Sequence, residues 1–85
     1  MNVLIPTPLR SYTGQRQVQA SGPTLAAALA DLERQYPGIR FRMVDEQERM
    51  RAHIRVFVNG LQVFDLSQPL APADEVVIVQ ALSGG

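Results

Sequence analysis

Residues 24–38 read Thr24-Leu25-Ala26-Ala27-Ala28-Leu29-Ala30-Asp31-Leu32-Glu33-Arg34-Gln35-Tyr36-Pro37-Gly38, and this stretch decides the fold class. Leu25, Ala28, Leu29, Leu32 and Tyr36 recur at the intervals that place them on one face of an α-helix. Asp31, Glu33, Arg34 and Gln35 fall largely on the other face. Thr24 stands where an N-cap oxygen can accept a hydrogen bond from the first turn. The alanine run favours helix because alanine loses no side-chain entropy on ordering. Pro37 and Gly38 then stop the helix, which is expected over Leu25–Tyr36. One amphipathic helix cannot bury its apolar stripe alone, so the rest of the chain must supply a surface for it.

Upstream, Val3-Leu4-Ile5 is an apolar run consistent with a strand buried on both faces, made irregular by Pro6 and Pro8. Ser11-Tyr12-Thr13-Gly14 reads as a turn cluster, and Val18 between polar neighbours in Gln15–Ala20 reads as a short return strand. Downstream, residues 39–52 show neither period; a long connection with one helical turn is expected there. From His53 to Val58 the pattern alternates, with Ile54, Val56 and Val58 on one face and Arg55 and Phe57 on the other. Asn59-Gly60 is a strong two-residue hairpin signal, because both positions of that turn need positive φ. Leu61–Phe64 is the return strand, and Leu70 is expected to pack inward from a loop bracketed by Pro69 and Pro72. Val76-Val77-Ile78-Val79 within Glu75–Gln80 reads as a central strand buried on both faces. The order strand, strand, helix, strand, strand, strand predicts an α+β fold: a mixed four- to five-stranded sheet with one main helix packed across it.

At 85 residues the chain has room for one domain, expected over 1–85 with a flexible tail at 82–85. A hydrophobic content of 46% with 19% charged residues is ordinary globular composition and argues against disorder. There is no cysteine, which excludes disulfide scaffolds, zinc–thiolate clusters and thiol catalysis. The single histidine, His53, argues against a multi-histidine metal site or a Ser-His-Asp triad, so no metal site is expected. No apolar run approaches the roughly 18 residues of a membrane span, and Met1–Pro6 does not read as a signal peptide. A cytoplasmic protein without membrane partners is expected. Eight arginines balance eight acidic residues and lysine is absent, so there is no net positive field to attract nucleic acid.

Candidate chemistry is sparse. Asp45/Glu46/Glu48 and Asp74/Glu75 are carboxylate clusters with arginines nearby, and they read as solvated turns. His53 has no partner at a metal-binding or catalytic spacing. Ser67 and Ser83 have no base to activate them. Gly14, Gly22, Gly38 and Gly60 are scattered and make no phosphate-cradling loop. Arg49, Arg51 and Arg55 form only a weak basic patch. The last two residues differ. Paired glycines at a fixed position occur in about one chain in 200 at background usage, and Gly84-Gly85 follows the strongest strand. Without Cβ atoms these residues could thread a narrow channel in another protein and present a bare carboxylate to an activating enzyme.

With that tail, the chain resembles the ubiquitin-like β-grasp sulfur carriers of the ThiS/MoaD family over essentially its whole length. The resemblance is carried by the element order, Thr24-Leu25, Ile54-Arg55-Val56-Phe57-Val58-Asn59-Gly60, Asp74-Glu75-Val76-Val77-Ile78 and Ala81-Leu82-Ser83-Gly84-Gly85. Ile5-Pro6-Thr7-Pro8-Leu9-Arg10, Ala20-Ser21-Gly22 and Asp31-Leu32-Glu33 are similar to the CysO-like branch, which donates sulfur for cysteine or related biosynthesis. The resemblance implies a protein co-substrate rather than a catalyst, with no catalytic side chain and no bound cofactor. Gly85 would be the site of adenylation and thiocarboxylate formation, with Gly84, Ser83 and Leu82 giving access. ATP and Mg would be used by an E1-like activating enzyme. The sulfur acceptor would be a biosynthetic enzyme such as a PLP-dependent cysteine synthase, and a protease that exposes or releases the C-terminus is a further expected partner. The pterin and thiamin pathways are expected less. Phe57, alternating away from the Ile54/Val56/Val58 face, is the candidate docking residue. A non-covalent β-grasp binding module and a ubiquitin-like modifier share this fold and stay open at this point.

Overall fold

The central helix forms where its sequence period demands. Thr24 has extended backbone (φ −137°, ψ 167°), and its hydroxyl accepts from the Ala27 N–H at 3.2 Å. The structure, a computed structural model, describes residues 1–81. In chain order its elements are β1 (Asn2–Leu4), a 3-10 turn (Thr7–Leu9), α1 (Arg10–Thr13), β2 (Gln17–Gln19), α2 (Leu25–Gln35), a second 3-10 turn (Arg40–Arg42), β3 (Ile54–Val58), β4 (Leu61–Val63) and β5 (Glu75–Gln80). The five strands form one sheet in the order β2-β1-β5-β3-β4. β1 and β5 run parallel at its centre, and the other neighbours are antiparallel.

Leu25, Ala28, Leu29 and Leu32 of α2 are buried in one cluster with Val3, Val18, Ile54, Val56, Val58, Val76 and Ile78. These strand residues alternate along their strands, so they share the face that α2 covers. The start of α2 is also held by backbone bonds to the 66–70 loop: Leu25 N–H donates to the Gln68 carbonyl at 2.9 Å and Ala26 N–H to Leu66 at 2.8 Å. Leu70 is buried in that loop, as expected of an apolar residue between Pro69 and Pro72. Gly22 lets the chain pass close to the helix; a Cβ there would lie 2.7 Å from the Ala27 Cβ and 2.9 Å from the Ala28 nitrogen.

Several expectations change in detail. The helix ends at Gln35, with Tyr36 as its cap. Residues 11–13 of the expected turn cluster are the greater part of α1, and Gly14 closes it in the left-handed conformation (φ 67°). Burial on both faces fails for the two central strands: Val76 and Ile78 are buried, whereas Val77 is half-buried and Val79 is 40% exposed. Leu4 is likewise only half-buried. One helix covers one face, and the apolar run alone could not reveal that.

The 39–52 segment is better ordered than its mixed pattern suggests. Ile39, Met43 and Val44 are fully buried and anchor it to the core. Between them and β3 the chain makes a tight reversal, with Arg51 N–H donating to the Met43 carbonyl at 2.9 Å and a bridge between Val44 and Met50. Glu33 ties the segment to α2 by accepting from the N–H groups of Gly38 (2.9 Å) and Arg40 (3.0 Å), which hold its carboxyl below the ordinary range. Among the described residues, no helix is long and apolar enough to cross a membrane.

Candidate functional site: the root of the tail and the open sheet face

β5 carries the chain to the tail. It lies between β1 and β3, so both of its edges are paired. Its last pair matches Gln80 with Ile54, and one residue further the Ala81 N–H donates to the His53 carbonyl at 2.7 Å. The backbone is therefore anchored up to Ala81. Leu82, Ser83, Gly84 and Gly85, expected to provide access and the reacting carboxyl, lie outside the described residues.

The opposite end of β5 is fastened by a polar clasp. Asn59 and Gly60 adopt positive φ (50° and 85°), the turn their sequence predicts. The Asn59 amide nitrogen donates to Asp74 at 2.9 Å, and its oxygen accepts from the Glu75 N–H at 3.0 Å. Asp74 also accepts from the Ala71 N–H at 2.8 Å; that bond, and then Asn59, lower its pKa. Asp45 similarly accepts from the N–H groups of Arg49 (3.1 Å) and Gln47 (2.9 Å), the Arg49 bond being the main cause of its lowered pKa. These carboxylates organise turns. No group of metal-binding side chains occurs among the described residues.

Phe57 lies on the sheet face opposite α2. The pairing register places Leu4, Val77, Phe57 and Gln62 in one row across β1, β5, β3 and β4, with Gln17 of β2 at its end. Paired residues in a sheet project from the same face. Leu4, Val77 and Phe57 are half-buried, so the row is an apolar strip with polar ends, accessible from solvent. Phe57 is less exposed than its alternation suggests because its neighbours in the row flank it. Phe64 and Leu61 are each 74% exposed.

A feature that the sequence reading missed adjoins the tail root. Phe41, Arg42, Arg51, His53 and Gln80 line a groove of about 290 Å³ with the Pro8-Leu9 turn on its other side. The sequence groups Arg51 with Arg49 and Arg55 in a weak basic patch. Instead, its Nε donates to the Phe41 carbonyl at 2.7 Å, and its guanidinium carbon sits 4.6 Å from the Phe41 ring centroid. The two arginines are nine positions apart with a chain reversal between them, so no local spacing pointed to the groove.

A family model described as the ThiS family matches residues 3–85. The chain belongs to the ThiS family. It is 40% identical over 91 aligned positions to the sulfur carrier protein CysO of Mycobacterium tuberculosis, covering 100% of this chain and 98% of that protein. Among solved structures, the Amycolatopsis orientalis BexX/CysO complex contains a chain that superposes with a TM-score of 0.91 at 35% identity, covering 99% of this chain and 98% of that one. Mycobacterium tuberculosis CysO superposes with a TM-score of 0.90 at 38% identity, covering 95% and 98% respectively. The family membership and these superpositions agree with the α+β, ubiquitin-like β-grasp architecture built above.

Proposed function

We propose that this chain is a sulfur carrier, a protein co-substrate whose reacting group is the Gly85 carboxyl when Gly85 is the terminal residue. The observation that carries this reading is the family match, which extends through Gly84 and Gly85 to the end of the sequence. The anchored β5 supports it by setting a rigid base from which the last four residues, at most about 14 Å when extended, can reach into a partner.

In this reading a carboxylate oxygen attacks the α-phosphorus of Mg·ATP on an E1-like enzyme, and pyrophosphate leaves. The acyl-adenylate has lost the negative charge that repels nucleophiles and gained a leaving group. Hydrosulfide attacks the carbonyl carbon, the bond to AMP breaks, and loss of the proton leaves a thiocarboxylate. A sulfurtransferase persulfide can deliver the same sulfur: its outer sulfur displaces AMP to give an acyl disulfide, and a second thiol then attacks the sulfurtransferase sulfur, forming a disulfide with it and releasing the thiocarboxylate. The acceptor is a sulfur-requiring biosynthetic enzyme, with a PLP-dependent cysteine synthase as the proposed case, and a protease exposes or releases the C-terminus. The ATP requirement suits a cytoplasmic location. Gly84, Ser83 and Leu82 give access, and Phe57 with its row presents the docking face.

Intact-mass measurement tests the reading. With activating enzyme, Mg·ATP and sulfide, the chain gains the mass expected when one oxygen is exchanged for sulfur. Deleting Gly85 abolishes the gain while leaving the thermal midpoint nearly unchanged. Phe57→Ala raises the concentration of carrier needed for half-maximal rate several-fold and keeps cooperative unfolding. Sulfur uptake at the native rate by the Gly85 deletion, or conjugation to a lysine of another protein in place of sulfur uptake, would refute the carrier reading.

A further inference from the structure

We infer that the groove at the tail root is a docking socket for an acidic segment, bearing Asp or Glu side chains, on the enzyme that receives the tail. The inference rests on the carrier reading only in requiring that the tail enter a partner.

The charge is local. The whole chain is electrically balanced, yet Arg42 and Arg51 both line the groove, and among the described residues no carboxylate lines it. Among the described residues no carboxylate pairs with Arg42 or Arg51; the two ion pairs present are Arg34–Asp31 and Arg40–Glu48. Arg51 helps to keep Asp45 charged, but the Asp45 carboxylate is already engaged by two backbone N–H groups.

The geometry favours a carboxylate. Because Nε of Arg51 is committed to the Phe41 carbonyl and the guanidinium lies over the Phe41 ring, the plane of the group is held, and among the described residues no hydrogen bond occupies its two Nη atoms. A held guanidinium loses less entropy on forming a bidentate pair than a free side chain does. Phe41 is 57% exposed and adds an apolar wall, and aromatic and arginine side chains together are the usual composition of an interface anchor.

Position selects the partner. Gln80 is in the groove wall, and the next residue is bound to the carbonyl of His53, also in the wall. Any enzyme that admits the following residues must bring the rim of its channel against this groove. A nucleic acid would need a longer row of cations, since an extended backbone is held by several phosphate contacts.

The test is titration of the full, isotopically labelled chain with a hexaglutamate peptide at low salt, read by amide shifts and by anisotropy of a labelled peptide. Saturable shifts at Phe41, Arg42, Arg51, His53 and Gln80 are expected, with binding weakened about tenfold or more by R42E/R51E and several-fold by Phe41→Ala. Raising salt to about 0.5 M should weaken binding to the native chain in the same way, which needs no variant to fold. Hexaglutamine should not bind, and inorganic phosphate or a thymidine decamer should bind at least about tenfold more weakly than hexaglutamate. Absence of saturable shifts, shifts confined to another surface, indifference to charge reversal, or tighter binding of phosphate or the oligonucleotide would overturn the proposal. The titration contains no ATP or sulfur source, so its failure removes the socket without touching the mass test of sulfur uptake.

Discussion

Replacing Leu29 by alanine removes three carbons from the middle of the helix–sheet interface, where Leu29 is only 2% exposed. The loss of transfer free energy is about 0.8 kcal/mol for each carbon, roughly 2.4 kcal/mol in all. Leu25 and Leu32 flank the site along α2 and Val3, Val56 and Val76 lie in the same buried cluster, so the surroundings can relax only partly. A residual cavity on the order of 50 Å³ adds about 1 kcal/mol. The expected destabilisation is about 3–4 kcal/mol, a large share of the roughly 4–13 kcal/mol available to a chain of this length. Urea denaturation followed by far-UV circular dichroism measures it, provided the dependence on denaturant keeps its slope so that the change reports stability alone. A change below about 0.5 kcal/mol would place Leu29 at a solvated surface and refute the packing of α2 against the sheet.

Gly22→Ala should destabilise by about 1–3 kcal/mol, since the new Cβ meets backbone atoms that cannot swing aside. Gly14→Ala is its control: φ is positive there too, but a Cβ meets nothing within 4 Å, so its loss in the same urea assay should be smaller. The lowered pKa values of Glu33, Asp45 and Asp74 predict the acid limb of stability. Each group binds its proton more weakly when folded, so the unfolded chain takes up more protons, and stability falls as pH drops through about 5 and below. Thermal midpoints measured from neutral pH down to about pH 2 should decline, and Asp74→Asn should make that decline shallower; an unchanged slope in the variant would separate Asp74 from the acid response.

The readable parts of this fold are those that neighbouring residues determine. The helical spacing of Leu25, Ala28, Leu29 and Leu32, the Thr24 cap and the Asn59-Gly60 turn all act within a few positions along the chain, so they are visible without the rest of the molecule. The alternation of Ile54, Val56 and Val58 correctly assigns one strand face. Val76-Val77-Ile78-Val79 does not, because an apolar run looks the same whether its second face is covered by a helix or left as an open strip. The 11–14 cluster was hidden for a related reason: one short helical turn leaves too few positions for a period to emerge.

The candidate site divides along the same line. Gly84-Gly85 and its place after the last strand are properties of the sequence, and together with the ordered motifs they carry the family resemblance. Strand order, the parallel pairing of β1 with β5, and the row that joins Leu4, Val77 and Phe57 belong to tertiary structure. So does the basic groove, which assembles Phe41, Arg42, Arg51, His53 and Gln80 from the 39–52 reversal, the start of β3 and the end of β5. Burial of Ile39, Met43 and Val44 sets the position of that reversal, and the β3–β5 register sets the position of the tail root beside it. Contacts between residues so far apart in the chain depend on how one shared core is packed, which no local pattern of residues encodes.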